Sequence, residues 1–327
     1  MPEMTVIQAI NSTLAEEMRK NERIFVLGQD VGLLGGVFHA TDGLMQEFGR
    51  ERVIDAPLAE SSIIGICVGA AMAGMHPVAE IQFADFIHSA ADHIINEAAK
   101  VRYRSNNGYS CPLVIRTPYG AGIAGGLYHS QSIEALFAGT PGLKIVAPVT
   151  PYDVKGLLLA ALRDQDPVLF LEHKRSYRGV KGEVPDEDYV IPIGLADVKR
   201  PGNDVTVITY GMMVHDALQA AESLSTEGYS IEVLDLRTLA PLDVEGICAS
   251  VRKTGKVLIA HEDNLTGGLG GEIAAIIADA CFLYLDAPIK RLATPDIPMM
   301  PFNHQVEMQL LPGRRQLEEA LRALAEY

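Results

Sequence analysis

The sequence predicts an α/β protein of two domains, each a mostly parallel sheet flanked by helices. Three observations carry this reading. Strand-like and helix-like segments alternate along the chain, the pattern of repeated βα units. The strand-like segments are continuous apolar runs, as expected of sheets buried on both faces. The alternation is interrupted once, from Arg178 to Asp204, by a stretch rich in Gly, Pro and charge, and then resumes. The chain has 327 residues, 48% of them hydrophobic, which suffices for two cores of ordinary size.

In the first domain, residues 1–185, strands are expected at Ile24–Leu27, Val78–Ile81, Leu113–Thr117, Lys144–Ala147 and Val168–Glu172. The helices between them are expected at Thr5–Lys20, Glu60–Gly74, Ala84–Arg104, Gln131–Ala138 and Pro151–Asp164. Residues 186–203 read as a linker with room for one edge strand. In the second domain, residues 204–327, the strands Val205–Tyr210, Ile231–Leu234, Val257–Ala260 and Ile289–Leu292 interleave with helices near 213–227, 242–253 and 271–282. His261-Glu262-Asp263 reads as a loop leading into a helix. No repeat relates the two halves.

Composition narrows the function classes. Net charge is −15, from 27 basic and 42 acidic residues, and no Lys/Arg block suggests nucleic-acid binding. Arg102, Tyr103 and Arg104 read as a solvated helix end. The four cysteines, Cys67, Cys111, Cys248 and Cys281, are widely spaced, as in a reduced protein without a disulfide framework or zinc site. The N-terminus has no secretory pattern, and the most apolar helix is too short to span a bilayer, which takes about 20 residues. A soluble, cytoplasmic protein is expected.

Several segments have the chemistry of a site. Glu60 follows Pro57 and opens the apolar run Ile63–Gly74. A carboxylate there is partly desolvated, which raises its proton affinity; the plainer alternative is an acid that complements the helix dipole. Gly120-Ala121-Gly122-Ile123-Ala124-Gly125 matches G-x-G-x-x-G but does not open a helix at once, and Glu134 comes too early for the ribose-binding acid. A ligand-approaching loop fits it better. His129-Ser130-Gln131-Ser132 places a histidine where it can move a proton or merely cap a helix. Gly267–Gly271 is a second glycine run before a helix, an anion site or only a mobile helix start. His88 and His93 are poorly spaced for a shared metal. Phe86, just past the carboxyl end of a strand, offers a flat face to a heteroaromatic ring or fills the core.

Taken together, these segments resemble one family. The matching runs are Gly28-Gln29-Asp30-Val31-Gly32, Pro57-Leu58-Ala59-Glu60, Glu80-Ile81-Gln82-Phe83-Ala84-Asp85, Tyr128-His129-Ser130-Gln131-Ser132, Pro141-Gly142-Leu143-Lys144, Tyr152-Asp153-Val154-Lys155-Gly156-Leu157 and Asp235-Leu236-Arg237-Thr238. In order and over essentially the whole chain, they resemble the beta subunit of the thiamine-diphosphate-dependent 2-oxo acid dehydrogenases. Segments 172–178 and 287–293 look closer to branched-chain members than to pyruvate members.

The resemblance implies a pyrimidine-binding thiamine-diphosphate fold followed by a transketolase C-terminal-like domain. It implies that Glu60 hydrogen-bonds the aminopyrimidine ring of thiamine diphosphate, and that Leu58, Gln82 and Phe86 line the pyrimidine pocket. A carboxyl suits this place because proton sharing favours the imino tautomer, whose nitrogen can take the thiazolium proton. His129 is implied to orient substrate and assist acyl transfer to lipoamide. A potassium site is implied at Leu113, Ala161, Leu162, Asp164 and Asp166, where Asp166 replaces an Asn common in relatives. The Gly-Asp-Gly motif that holds Mg²⁺ and the diphosphate is absent; in the family it lies on an alpha subunit. The resemblance therefore implies an α2β2 heterotetramer that decarboxylates a branched-chain 2-oxo acid. Its acyltransferase core would be met through subunit-binding and lipoyl domains. The alternatives are a pyruvate or acetoin dehydrogenase beta subunit, a non-catalytic assembly subunit, and a nicotinamide dehydrogenase using Gly120–Gly125, which the missing ribose acid disfavours.

Overall fold

The structure is a computed structural model describing residues 2–327. They form two compact units. The first runs to Tyr119 and takes in Phe137–Ile193, and the second comprises Gly120–Leu136 and Gly194–Tyr327.

The chain opens with β1 (Glu3–Thr5) and α1 (Val6–Lys20). Thr5 starts that helix with a capping box, its hydroxyl accepting from the Gln8 N–H and its own N–H donating to the Gln8 side chain. There follow β2 (Ile24–Gly28), α2 (Leu44–Phe48), β3 (Val53–Asp55), α3 (Glu60–Met72), β4 (His76–Glu80), α4 (Val101–Arg104), β5 (Val114–Tyr119), α5 (Glu134–Ala138), β6 (Lys144–Val146), α6 (Pro151–Leu162), β7 (Val168–His173), α7 (Ser176–Gly179) and β8 (Lys181–Glu183). Six of these strands lie side by side, all parallel, in the order β6-β7-β5-β4-β2-β3. β3 lies on one side of β2 and β4 on the other. The winding therefore reverses at β2, where open α/β sheets form a crevice at their carboxyl ends. Register makes Gly28, Asp55 and Glu80, the last residues of β2, β3 and β4, neighbours.

One expected helix differs in winding. Residues 84–104 are helical, but as a 3-10 turn (Ala84–Ala90), a π turn (His93–Glu97), a second 3-10 turn (Ala98–Lys100) and α4. Apolar spacing reports that a helix is present and not whether its hydrogen bonds span three, four or five residues. The helix expected from Gln131 begins only at Glu134, because Gln131 and Ser132 belong to the preceding loop.

The second unit contains β9 (Asp197–Arg200), β10 (Val205–Thr209), α8 (Met213–Ser225), β11 (Ile231–Asp235), β12 (Thr238–Ala240), α9 (Val244–Thr254), β13 (Val257–Asn264), α10 (Leu269–Ala280), β14 (Lys290–Thr294), α11 (His304–Leu310) and α12 (Arg314–Ala325). Its sheet has the order β14-β13-β10-β11-β9, with β9 as the antiparallel edge strand. Val205, Val207, Ile231, Val233 and Leu258 of the sheet pack against Ala217, Ala221 and Leu224 of α8 and Leu317, Leu321 and Leu324 of α12. Two expectations are corrected here. His261-Glu262-Asp263 is not a loop but the second half of β13. The chain beyond β14 also carries two helices, of which α12 shows its leucines at the i, i+4, i+7 spacing of an amphipathic helix.

The first unit's sheet contains a buried ionic network that no apolar pattern announces. Arg116 on β5 is 1% exposed and grips Glu172 on β7 with two parallel bonds, Nε–Oε1 at 2.7 Å and Nη2–Oε2 at 2.9 Å. Its Nη1 reaches Glu80 Oε2 on β4 at 2.8 Å, and the Tyr177 hydroxyl donates to Glu172 Oε2 at 2.5 Å. Burial raises the Glu80 carboxyl above its ordinary range, opposed by the Arg116 charge. Removing one member of such a set strands the others, at about 3–5 kcal/mol. We expect Arg116→Leu to lower the thermal unfolding midpoint by about 10 °C, read by calorimetry. An unchanged midpoint would show that the network contributes nothing net to stability.

Candidate functional site

Three loops meet where the first sheet reverses. The loop after β2 carries Gln29 and Asp30, the loop after β3 carries Leu58 and Glu60, and the loop after β4 carries Gln82 and Phe86. Gln82 ties two of them together, its Nε2 donating to Gln29 O at 3.4 Å and to Asp30 Oδ2 at 3.2 Å. Asp55 holds the β2 loop from the other side through Gly32 N–H at 2.6 Å and Leu33 N–H at 3.4 Å.

Glu60 is the first residue of α3, the place the sequence assigned to it. It is half-buried, and its carboxylate has no hydrogen-bond partner among the described residues. It also makes no cap bond, since the cap position is Ala59. Leu58 is 72% exposed. α3 packs on the 3-10 turn that carries Phe86. Phe86 meets Phe83 edge-on at 5.9 Å, and Phe38 packs against both Phe83, at 5.5 Å, and Tyr177, at 5.0 Å. This aromatic row joins the site to the Arg116 network through Tyr177. A free carboxylate, an amide and an aromatic face, with an exposed leucine beside them, have the chemistry to hold an aminopyrimidine. The first unit thus fits the pyrimidine half of thiamine diphosphate, and Glu60 would hold the ring nitrogen.

The residues expected at a cation site also come together. Cys111 N–H donates to Gln165 O at 3.1 Å and Leu113 O accepts from Val168 N–H at 2.9 Å, which sets Leu113 beside the turn after α6. Ala161 and Leu162 end α6, and Asp164 and Asp166 lie in that turn. Both carboxylates are ion-paired within the chain, Asp164 to Lys144 and Asp166 to Arg102, each at 2.5 Å. With these carboxylates paired, the hard oxygen donors this region could add for a cation are backbone carbonyls. Among the described residues no three His, Cys, Asp or Glu side chains converge as a metal cluster.

His129 lies in the second unit, half-buried, directly after a 3-10 turn at Gly126–Tyr128. Three backbone donors of the preceding glycine run are taken by carboxylates. Ala121 N–H bonds Glu262 Oε1 at 2.5 Å, and Gly122 and Ala124 N–H bond Glu307 Oε1 and Oε2 at 2.8 and 2.9 Å. Amides already turned onto carboxylates are poor donors for a diphosphate, which counts against the dinucleotide reading. At Gly126 only glycine fits, because φ is +63° and a Cβ would lie 2.4 Å from the Phe302 ring. The second glycine run, Gly267–Gly271, starts α10, with Gly268 and Gly270 against the His261 ring, so it serves packing. Beside the His129 loop opens a polar cavity of about 210 Å³, lined by Ser130, Ser132, Glu262, Asp263, Asn264 and Thr294 among others.

Glu134, at the foot of this loop, is fully buried, and its Oε1 accepts from the Tyr210 hydroxyl at 2.9 Å. Burial, then the nearby Asp263 carboxylate, pushes its carboxyl up to about 8. Sequence reading missed Glu134, Glu262, Glu307 and Arg116. Their signal was weak: Arg116 is one ionic residue in an apolar strand, while Glu134, Glu262 and Glu307 lie in polar or mixed stretches. A raised acid holds its proton more tightly when folded, so its contribution is complete below the unfolded value near 4.5 and is lost as pH rises toward 8. We expect Glu134→Gln to flatten the fall in melting temperature between pH 5 and 8.5. A parallel fall in both proteins would place the titration elsewhere.

The chain matches two known domain families. Residues 2–180 match the transketolase pyrimidine binding domain and residues 194–317 the transketolase C-terminal domain. It is 61% identical to the 2-oxoisovalerate dehydrogenase subunit beta of Bacillus subtilis and 46% identical to the pyruvate dehydrogenase E1 component subunit beta of that organism. In both cases the match covers the full length of both chains. Among solved structures it resembles a split-gene transketolase, an inactive beta4 tetramer, with a TM-score of 0.78 and 26% identity over 99% of this chain and 98% of that one.

Proposed function

We propose that this chain, which belongs to the family of 2-oxo acid dehydrogenase beta subunits, is the beta subunit of a branched-chain 2-oxo acid dehydrogenase. The observation that carries this reading is the site at the sheet reversal, where Glu60 opens α3 with its carboxylate unpaired among the described residues. The branched-chain relative is also markedly nearer in sequence than the pyruvate relatives. Residues 1–185 serve as the pyrimidine-binding domain, 186–203 as the linker and 204–327 as the C-terminal domain.

Thiamine diphosphate, when bound, supplies the nucleophilic carbon and the electron sink for decarboxylation. The chain's own residues prepare that chemistry. Glu60 shares a proton with the pyrimidine ring nitrogen. Leu58 and Phe86 exclude water from the ring, and Gln82 fixes the loops around it. His129 orients the 2-oxo acid and assists delivery of the acyl group to lipoamide. Leu113, Ala161 and Leu162 would offer carbonyls to a potassium ion, with Asp164 and Asp166 in the turn that follows.

The active assembly is an α2β2 heterotetramer, with the diphosphate and Mg²⁺ held by the alpha subunit, since this chain lacks the Gly-Asp-Gly motif. Leu33 and Leu34 after β2, Leu58 after β3 and Ile66 on α3 are 58–72% exposed and provide apolar surface for that partner. The acyltransferase core docks through its subunit-binding and lipoyl domains. No helix among the described residues is long and apolar enough to cross a membrane, and we place the complex in the cytoplasm.

The test is co-purification with the alpha subunit and a panel of 2-oxo acids. We expect 2-oxoisovalerate to be preferred over pyruvate in kcat/KM, and preference for pyruvate would overturn the substrate assignment. In the same assembly Glu60→Gln should slow decarboxylation by about 10²–10⁴, the worth of a positioned proton-transfer group, with an unchanged melting temperature. A near-wild-type rate would remove Glu60 from the mechanism.

A further inference from the structure

The loop bearing His129 is held in an unfavourable conformation by carboxylates from distant parts of the second unit. Gly120, Gly122, Ala124 and Gly126 all have φ between +56° and +90°. Ala124 is the informative one, because a side chain in the left-handed region costs roughly 1–2 kcal/mol. Its N–H is one of the two that Glu307 takes, the other being that of Gly122. Ala121 is taken by Glu262. Three amides within four residues are thereby turned inward on two carboxylates, as a backbone nest closes on an anion.

Glu307 is built for this task. It is fully buried on α11, and a carboxylate in such a place needs donors to replace its lost water. The helix start is fixed by Asn303, whose side chain accepts from Gln305 and Val306 N–H and whose carbonyl accepts from Glu307 N–H. His304 Nδ1 lies 3.2 Å from Glu307 Oε2, within hydrogen-bond reach of it. At the far end the ring of chain is closed by Gly120 N–H bonding Gln131 O at 3.0 Å, and by Gln131 Nε2 bonding Leu127 O at 3.2 Å. His129 is inside this ring, and a Cβ at Gly125 would lie 2.6 Å from its carbonyl oxygen. The backbone of His129 is therefore set by what the loop before it does.

We infer that Glu307, supported by Glu262, is a positioning residue for His129, acting through the loop amides and never touching substrate. The inference rests on the role proposed above for His129. It makes α11, the helix before the last, part of the reaction machinery, although α11 carries no reacting group.

A double-mutant cycle in the assembled alpha–beta enzyme tests it. Glu307→Gln keeps the volume but sets an amide nitrogen against one of the two loop N–H groups. We expect it to lower kcat for acylation of a lipoyl domain about 10- to 100-fold, the range for a small misplacement of a reacting group. Thiamine diphosphate affinity should stay within about twofold. Because Glu307 acts through His129, His129→Ala combined with Glu307→Gln should be no slower than His129→Ala alone. Equal losses in both backgrounds, or a wild-type kcat for Glu307→Gln, would overturn the inference while leaving His129 in place. A wild-type kcat for His129→Ala would instead overturn the role of His129, and this inference with it. If Glu307→Gln does not assemble, Glu262→Gln takes its place in the same cycle, with a smaller loss and the same non-additivity expected.

Discussion

Arg116 is the constraint on which the first domain's site depends. A guanidinium at the centre of a parallel sheet is tolerable only if its charge and donors are satisfied at once, since isolated burial of a charge is far too costly. Glu172 takes its fork and Glu80 its remaining arm. These partners lie on the strands to either side of β5, so satisfying one side chain aligns the carboxyl ends of β4, β5 and β7. Glu80 is the last residue of β4, two residues before Gln82, and its carboxylate also faces Gly36 in the loop after β2. Glu172 passes the constraint outward through the Tyr177 hydroxyl to Phe38, Phe83 and Phe86. The ionic core and the aromatic wall are one connected structure.

The second unit uses the same device in another form. Where the first unit buries a cation between carboxylates, the second buries carboxylates against backbone N–H groups. Glycine-rich loops expose adjacent amides, and such amides attract an anion. Supplying that anion from the chain itself, by Glu262 and Glu307, gives a fixed loop in place of a phosphate-binding one. The choice is consistent with the absence of a Gly-Asp-Gly motif. The amides of this loop hold side chains of the same unit.

What was legible in the sequence follows from which interactions leave a periodic trace. Strands β2, β4, β5, β6, β7, β10, β11, β13 and β14 and helices α1, α3, α6 and α8 were legible because apolar runs and helical spacing are local, whereas β3 and β12, three residues each, leave no such run. Glu60 at the start of α3 was legible because Pro57 and a long apolar run bracket it. Arg116, Glu172 and Glu80 were not, since one ionic residue within each apolar strand is unremarkable until the sheet order places the three together. Glu262 was misread because His261-Glu262-Asp263 is polar, yet those residues extend β13. Its polarity serves a loop some 140 residues earlier, an interaction that no window of sequence contains. The mixed winding of 84–104 was invisible for a different reason: hydropathy does not encode whether a hydrogen bond spans three, four or five residues.

The unpaired carboxylate of Glu60 makes chemical sense only within this contrast. Several buried ionic groups of the two units are paired within their own unit. Arg116, Glu172, Glu262 and Glu307 are all matched donor to acceptor, and the exposed turn after α6 pairs both of its carboxylates with cations. A half-buried acid at a helix start, among three loops that other residues fix in place, departs from that pattern. Such a departure is expected at a functional site, where a group must be held ready for a ligand. The surrounding surface points the same way, with leucines exposed after β2 and β3 where a finished active site would be closed. A site of this kind, in a chain without a Gly-Asp-Gly motif, is what the proposed pairing with an alpha subunit would call for.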